Sequence, residues 1–105
     1  MSALFDLSDQ PSVQKLVNWI DANYPFVQKI WLFGSRARGD HFDRSDIDIA
    51  LEVSDNARWL HVMADIDEDA PTLLEIDCVD YAKVSGDFKD NIDKEKVLIY
   101  ERGAA

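Results

Sequence analysis

Residues 32–53 read LFGSRARGDHFDRSDIDIALEV, and the rest of the fold is arranged around the turn and the strand that they contain. The apolar and β-branched residues of 27–33 predict a strand that ends at Gly34, since glycine adopts the positive φ of a sharp turn without steric cost. Directly after it, Ser35–Arg38 is expected to form one short helix that Gly39 closes, and a polar loop follows. The stretch therefore predicts two strands joined by a tight turn, a short helix and a loop.

The second strand of this stretch, Asp46–Val53, places two carboxylates on one face. Its apolar residues alternate with Asp46 and Asp48, and side chains two residues apart in a strand start about 6.6 Å from each other on the same side. Like charges so close destabilise a strand face unless a cation neutralises them. Oxygen ligands without a His or Cys cluster favour magnesium or manganese over zinc. The pair therefore indicates a divalent metal site.

The Gly34-Ser35-Arg36 turn upstream offers a place for a phosphate group. Backbone N–H groups that follow a strand-ending glycine carry positive partial charge, and the guanidinium of Arg36 or Arg38 can add a bidentate contact. A Gly-Ser turn after a strand is most often only a turn, so this feature alone is weak evidence. The turn therefore indicates a candidate phosphate site, and its weight comes from its combination with the aspartate pair.

The rest of the chain alternates helices and strands. Amphipathic spacing predicts a helix over Ser12–Asn23, capped by Ser8 or Asp9, and another that follows Ser54-Asp55-Asn56 and ends near Asp69. The later elements are expected to be a strand over Leu73–Tyr81, a helix over Ser85–Lys94 and a strand over Val97–Tyr100. The connection between the first two strands has room for about one helical turn, which argues against a parallel crossover. We therefore predict an α+β (α/β mixed) fold in a single domain, residues 1–105, with a mixed, mostly antiparallel sheet of about four strands flanked by helices.

Composition and charge exclude several classes of protein. Twenty-one acidic residues against eleven basic ones give a net charge of −10, which opposes direct nucleic-acid binding and is compatible with a basic protein partner. No long apolar run and no basic residue precede Lys15. Neither a membrane span nor a signal peptide is therefore expected, and we expect a cytoplasmic protein. The single cysteine, Cys78, lies in an apolar run and is interpreted as a buried, inert thiol.

In residue type and in spacing, the stretch resembles the signature of the DNA polymerase beta nucleotidyltransferase superfamily. The matching residues are Gly34-Ser35, a gap of ten residues, and Asp46-Ile47-Asp48. The stretch is most similar to the minimal nucleotidyltransferases, small proteins encoded beside HEPN-domain toxins in prokaryotes. The resemblance covers Leu32–Val53 closely and Leu73–Tyr81 more loosely. It implies a transferase that moves a nucleoside monophosphate to a hydroxyl group and releases pyrophosphate.

The resemblance also implies a third carboxylate, on a later strand beside the aspartate pair. Leu73–Tyr81 offers Asp77 and Asp80, and strand parity places Asp77 on the face opposite the apolar one. Asp80 falls on the apolar side and is expected to cap a turn, whereas Glu75 shares the face of Asp77 and is the second-choice ligand. We therefore predict Asp77 as the third ligand and as a group that could take the proton of the acceptor.

The roles of the remaining site residues follow from the same resemblance. It implies two magnesium ions, or manganese in their place, held by Asp46, Asp48 and Asp77, and ATP or another nucleoside triphosphate as the donor. The backbone at Gly34 and the hydroxyl of Ser35 would hold the β- and γ-phosphates. Of the two arginines, Arg36 is the first choice for a nucleotide contact and Arg38 is the second.

The acceptor of the nucleotide is implied by the resemblance alone. In the HEPN-associated branch it implies an antitoxin that transfers AMP to a tyrosine of its ribonuclease toxin. Two alternatives stay open, namely nucleotidylation of a small-molecule hydroxyl, as in antibiotic-modifying relatives, and a non-catalytic subunit that neutralises its partner by occlusion. An enzyme would stop protecting against its partner when Asp46 and Asp48 are replaced, whereas an occluding subunit would continue to protect.

Overall fold

A mixed four-stranded sheet lies at the centre of the computed structural model, which describes residues 4–55 and 58–103. The elements in chain order are α1 (Pro11–Asn23), β1 (Val27–Phe33), α2 (Ser35–Arg38), β2 (Ile47–Val53), α3 (Trp59–Asp69), β3 (Ile76–Asp80), α4 (Gly86–Glu95) and β4 (Val97–Glu101). A short 3₁₀ turn, Tyr81–Lys83, separates β3 from α4. The predicted α+β class and the predicted order of helices and strands are confirmed.

The strands lie in the order β3-β2-β1-β4. β1 pairs antiparallel with both β2 and β4, while β2 and β3 run parallel. The connection between β1 and β2 contains only one helical turn and returns the chain antiparallel, whereas α3 provides the long crossover that a parallel pair requires. The sheet is therefore mixed and mostly antiparallel, as the connection lengths predict.

One face of the sheet packs against α1 and α3 and forms the main core. The buried side chains from the helices are Val13, Leu16, Val17, Ile20, Val62 and Ile66, and those from the strands include Ile30, Leu32, Ile47, Ile49, Leu51 and Cys78. Each aliphatic side chain that is fully buried contributes about 1.5–3 kcal/mol to folding. This packing fixes the orientation of β2, because a slip by one residue would move its isoleucines out of the core and its aspartate into it.

The opposite face of the sheet is partly covered by α4. Ile92 of that helix packs on Phe33 and Ala50 in a second, smaller cluster. Ala50 lies on the same face of β2 as Asp48, as the alternation predicts, and it is completely buried because α4 covers this part of the face. The C-terminal end of α4 is thereby brought to the turn that follows β1.

The third strand is shorter than the sequence predicts. It begins at Ile76, and Leu73, which was assigned to it from its apolar character, has a fully exposed side chain. Pairing with β2 starts only where the Ile47 N–H donates to the carbonyl of Glu75 at 2.9 Å. Residues before that point have no strand partner on β2, which is why they are not extended strand.

Two predicted details of α1 and α3 also differ from the structure or fall outside it. Gln10 occupies the position before α1 and makes no side-chain capping bond, so the predicted caps Ser8 and Asp9 are wrong; the Ser8 N–H instead donates to Asp6. Ser54, Asp55 and Asn56 are the predicted caps of α3; Arg58 occupies the position before that helix, so Ser54 and Asp55 do not cap it, and Asn56 lies outside the described residues. Within the described residues, no helix is both long and apolar enough to cross a membrane.

Candidate functional site

The Asp48 carboxylate packs directly against the backbone of Gly34. Gly34 has φ +73°, a region that L side chains rarely adopt. Antiparallel pairing of Phe33 with Asp48 sets that carboxylate against the turn, and a Cβ at position 34 would lie 2.2 Å from its Oδ2. Glycine is therefore required here both by the backbone conformation and by the close approach of the carboxylate.

Asp48 and Asp77 lie opposite each other on neighbouring parallel strands, β2 and β3. Their pairing follows from the parity of both strands, since Ile49 and Cys78 form the adjacent pair and turn into the core. The pKa of Asp48 is raised to about 6, mainly because burial desolvates the carboxylate; a hydrogen bond with Asp77 and the negative charges of Asp77, Asp46 and Glu95 contribute in the same direction. Two ionised carboxylates repel each other, so a shared proton or a bound cation stabilises this arrangement.

Asp46 precedes β2 and has an exposed side chain. Its charge acts on Asp48, so the two carboxylates are near each other, as the triplet predicts. Among the described residues, however, no three Asp, Glu, His or Cys side chains converge into a ready-made metal site. The structure brings Asp48 and Asp77 into direct contact and leaves Asp46 beside them.

Of the two other acidic residues in the predicted third strand, Asp80 lies on the core side of β3, as parity predicts, and Glu75 lies before the strand. Asp80 is buried on the core side, and its Oδ1 accepts from the Ala82 N–H at 3.0 Å, which caps the 3₁₀ turn. Glu75 has an exposed side chain and precedes the first residue of β3. Of the acidic residues in this segment, Asp77 is the one that contacts Asp48.

Arg36 has a different position from the one expected of a phosphate contact. Its side chain is 4% exposed, and its guanidinium donates to the carbonyls of Ser45 and Asp43 and to Gln10 Oε1 at 3.0–3.2 Å. The Arg36 carbonyl in turn accepts from Gln10 Nε2. These donors hold the loop that leads into β2, and the contact of Arg36 with the nucleotide stays a prediction. Arginine suits this position because its planar fork can satisfy several carbonyls at once.

Arg38 and Ser35 belong to the short helix α2 directly after Gly34, and both are accessible to solvent. Arg38 is exposed and pairs with Asp40 at 3.1 Å and with Glu95 Oε1 at 2.7 Å. Ser35 is partly exposed, and its carbonyl accepts from the Gly39 N–H, which closes α2. Both residues therefore lie within the same small region as Gly34.

Glu95 is the residue of this region that the sequence does not indicate. It is the last residue of α4, and its Oε2 accepts from the Gly34 N–H at 3.0 Å while Oε1 pairs with Arg38. No motif connects it with the Gly34 turn, which lies 61 residues away in the sequence. Only the packing of α4 on the sheet brings it there.

Comparison with known proteins assigns the chain to a family. Residues 14–104 match the family model described as "Polymerase beta, Nucleotidyltransferase". None of the curated proteins compared with the chain matches it significantly. Family members usually use divalent metal ions.

Several solved structures are similar to the chain in fold. The chain is 27% identical to a chain of a toxin–antitoxin crystallised with AMP-PNP, covering 86% of this chain and 73% of that one with a TM-score of 0.59. It is 25% identical to a chain of the toxin–antitoxin MntA-HepT, with coverages of 88% and 72% and a TM-score of 0.55. A protein of Sulfolobus solfataricus, 21% identical over 100% of this chain and 96% of its own, shares the fold with a TM-score of 0.57. The chain belongs to the polymerase beta nucleotidyltransferase family.

Proposed function

We propose that the chain is a single catalytic domain that transfers AMP from ATP to a tyrosine hydroxyl of a HEPN-family toxin and thereby acts as its antitoxin. The observation that carries the proposal is the contact of Asp48 with Asp77 directly behind the Gly34 turn. It joins a carboxylate pair that is suited to a divalent cation with a turn that is suited to phosphates. A nucleotidyl transfer needs both within a few ångströms of each other.

The carboxylates of the site fit magnesium better than other metals. They offer oxygen atoms only, and their mutual repulsion and partial burial favour the binding of a positive charge. Asp48 and Asp77 would hold the ion directly, and the exposed Asp46 can turn its carboxylate towards them. Bound Mg²⁺ would supply charge neutralisation at the phosphates and a lower pKa for the acceptor hydroxyl.

The chain's own groups have separate tasks in this proposal. The Gly34 N–H and Arg38 bind the β- and γ-phosphates, with Ser35 beside them, and the missing side chain of Gly34 leaves room for the Asp48 carboxylate next to the backbone. The tyrosine oxygen attacks the α-phosphorus in line, the bond to the bridging oxygen breaks, and pyrophosphate leaves. Asp77, whose side chain is exposed, takes the proton of the tyrosine hydroxyl.

The assignment of the acceptor is supported by the comparisons and by charge. Two similar structures are toxin–antitoxin complexes, and one of them was crystallised with AMP-PNP. The net charge of −10 favours association with a basic partner. A small-molecule acceptor has less support, because both of these structures are toxin–antitoxin complexes.

The test is to incubate the protein with ATP, Mg²⁺ and the HEPN protein encoded beside it, and to search the partner for AMP-modified tyrosine by mass spectrometry. Asp46→Asn/Asp48→Asn should lower the rate by more than about a hundredfold, since a catalytic metal contributes several kcal/mol to transition-state stabilisation. The matched control is Asp67→Asn/Asp69→Asn, an equally spaced pair of exposed aspartates on α3, which should leave the rate unchanged.

Other outcomes would identify the alternatives. If the Asp46/Asp48 variant still silences the partner and no AMP is found on it, the chain is an occluding subunit rather than an enzyme. If AMP is transferred to a small hydroxyl compound and not to the partner, the chemistry stands and the acceptor is wrong. Equal rates for the two double variants would refute the assignment of the site.

A further inference from the structure

The Gly34 turn holds an anion in the structure, and that anion is the carboxylate of Glu95. Its two oxygens are divided between the Gly34 N–H, at 3.0 Å, and Arg38 Nη1, at 2.7 Å. These are the two donors to which the proposed function assigns the phosphates. A carboxylate and a phosphate oxygen accept hydrogen bonds of the same length and charge from such donors, so they compete for them.

The backbone of Glu95 is held near the turn by the packing of α4 on the sheet, independently of the contacts of its side chain. Ile92, three residues earlier, is buried against Phe33 and Ala50 and anchors the end of the helix. The Glu95 side chain itself is 29% exposed, and its partner Arg38 is 45% exposed. The carboxylate can therefore leave the turn for solvent by rotation about its side-chain bonds, while the helix stays in place.

The charge of Glu95 also acts on the carboxylate behind the turn, where it is one of the groups that disfavour ionisation of Asp48. A triphosphate that entered with Glu95 still in place would meet this carboxylate at the same donors. The arrangement is therefore stable with either Glu95 or a phosphate on the turn, but not with both.

We propose that Glu95 is a displaceable internal occupant of the phosphate-binding turn, which holds Gly34 and Arg38 until a phosphate group of the nucleotide replaces it. The inference rests on the proposed function for the identity of the displacing group. Until a nucleotide binds, Glu95 keeps the Gly34 N–H and Arg38 in the arrangement that an anion requires. It also weakens nucleotide binding by the amount needed to displace it.

The test measures binding of inorganic tripolyphosphate with Mg²⁺ by isothermal titration calorimetry. Glu95→Gln removes the charge with little change of shape, and Glu95→Ala removes the acceptor altogether. Both should bind about tenfold more tightly than the wild type, since a charge-assisted hydrogen bond no longer competes. The control is Glu101→Gln, which removes an equal charge from the Lys29–Glu101 ion pair at the other end of β1 and should change binding less than about twofold.

A second measurement follows the Gly34 amide resonance by NMR. In the wild type, tripolyphosphate should move this resonance, and Glu95→Ala should move it before any ligand is added. Equal binding by Glu95→Gln and Glu101→Gln, weaker binding by both Glu95 variants, or no measurable binding by any of the proteins would overturn the inference.

The two proposals can fail separately. If the Glu95 variants bind tripolyphosphate more tightly but no AMP is transferred to any acceptor, Glu95 is the occupant of an anion site and the proposed function is wrong. If the wild type transfers AMP and the Glu95 variants gain no affinity, the function stands and Glu95 is only a surface partner of Arg38.

Discussion

Replacing Asp48 with asparagine should stabilise the metal-free protein while it removes activity. The pKa of Asp48 is raised to about 6 from its ordinary value of 3.8, and one pKa unit corresponds to about 1.4 kcal/mol, so ionising this carboxyl in the folded chain costs at most about 3 kcal/mol. The side chain is partly exposed and solvent screens part of this energy, so we expect about 1–2 kcal/mol. Asparagine keeps the shape, carries no charge and can donate to Asp77.

The sign of the pH dependence follows from the raised pKa. The folded chain binds the proton of Asp48 more tightly than the unfolded chain does, so this contribution to stability is complete below pH 3.8 and is lost as the pH rises through about 6. The stabilities of Asp48→Asn and the wild type should therefore differ much less at pH 3.8 than at pH 8. In EDTA at pH 8, the expected difference raises the midpoint of thermal unfolding of the variant by about 4–15 °C.

The assay is thermal unfolding followed by circular dichroism at both pH values, with Asp67→Asn on the exposed face of α3 as the matched control. Adding Mg²⁺ at pH 8 should raise the midpoint of the wild type and leave that of Asp48→Asn almost unchanged, because the ion replaces the missing proton. The reasoning is refuted if Asp48→Asn destabilises the protein at pH 8, or if its effect is the same at both pH values.

Two further predictions concern the turn and the loop beside it. Gly34→Ala should lower the free energy of unfolding by about 1–2 kcal/mol because of its positive φ, and should reduce the transfer rate more than about tenfold because the new Cβ displaces the Asp48 carboxylate. The control is Gly39→Ala, whose Cβ would meet nothing within 4 Å. It should show only the backbone strain, measured by urea unfolding, and keep its activity. Arg36→Met should lower the free energy of unfolding by about 2–3 kcal/mol, because the buried Gln10 side chain and two partly buried carbonyls lose their donor. The exposed Arg38→Met should lower it by less than about 1 kcal/mol. A variant of Arg36 that kept its stability but raised the KM for ATP would restore the phosphate contact predicted from the sequence.

Much of the site could be predicted because it depends on the residue types and the spacing of neighbouring positions. The period of two in β2 separates Ile47 and Ile49 from Asp48, and the same period selects Asp77 over Asp80 in β3. The bounds of β1, the conformation of Gly34 and the close of α2 at Gly39 follow equally from neighbouring residues. In each case the physical cause lies within a few residues of the effect.

Other features depend on contacts between distant parts of the chain. The role of Arg36 could not be read from its place after Gly34-Ser35, because Gln10 and the carbonyls of the following loop determine where its guanidinium lies. The length of β3 depended on where β2 offers it a partner, and the apolar character of Leu73 was misleading for that reason. These outcomes depend on distant partners, which a local pattern does not contain.

The Gly34 turn shows where the two kinds of information divide. By itself the sequence determined that a strand ends there, that a short helix follows and that Asp48 faces away from Ile47 and Ile49 on the next strand, since steric limits and strand periodicity act on adjacent residues. Only the tertiary structure decided that Asp48 touches both Asp77 and the turn, and that Glu95 occupies the turn's N–H. Those contacts arise because the sheet and the packing of Ile92 bring together residues that are far apart along the chain.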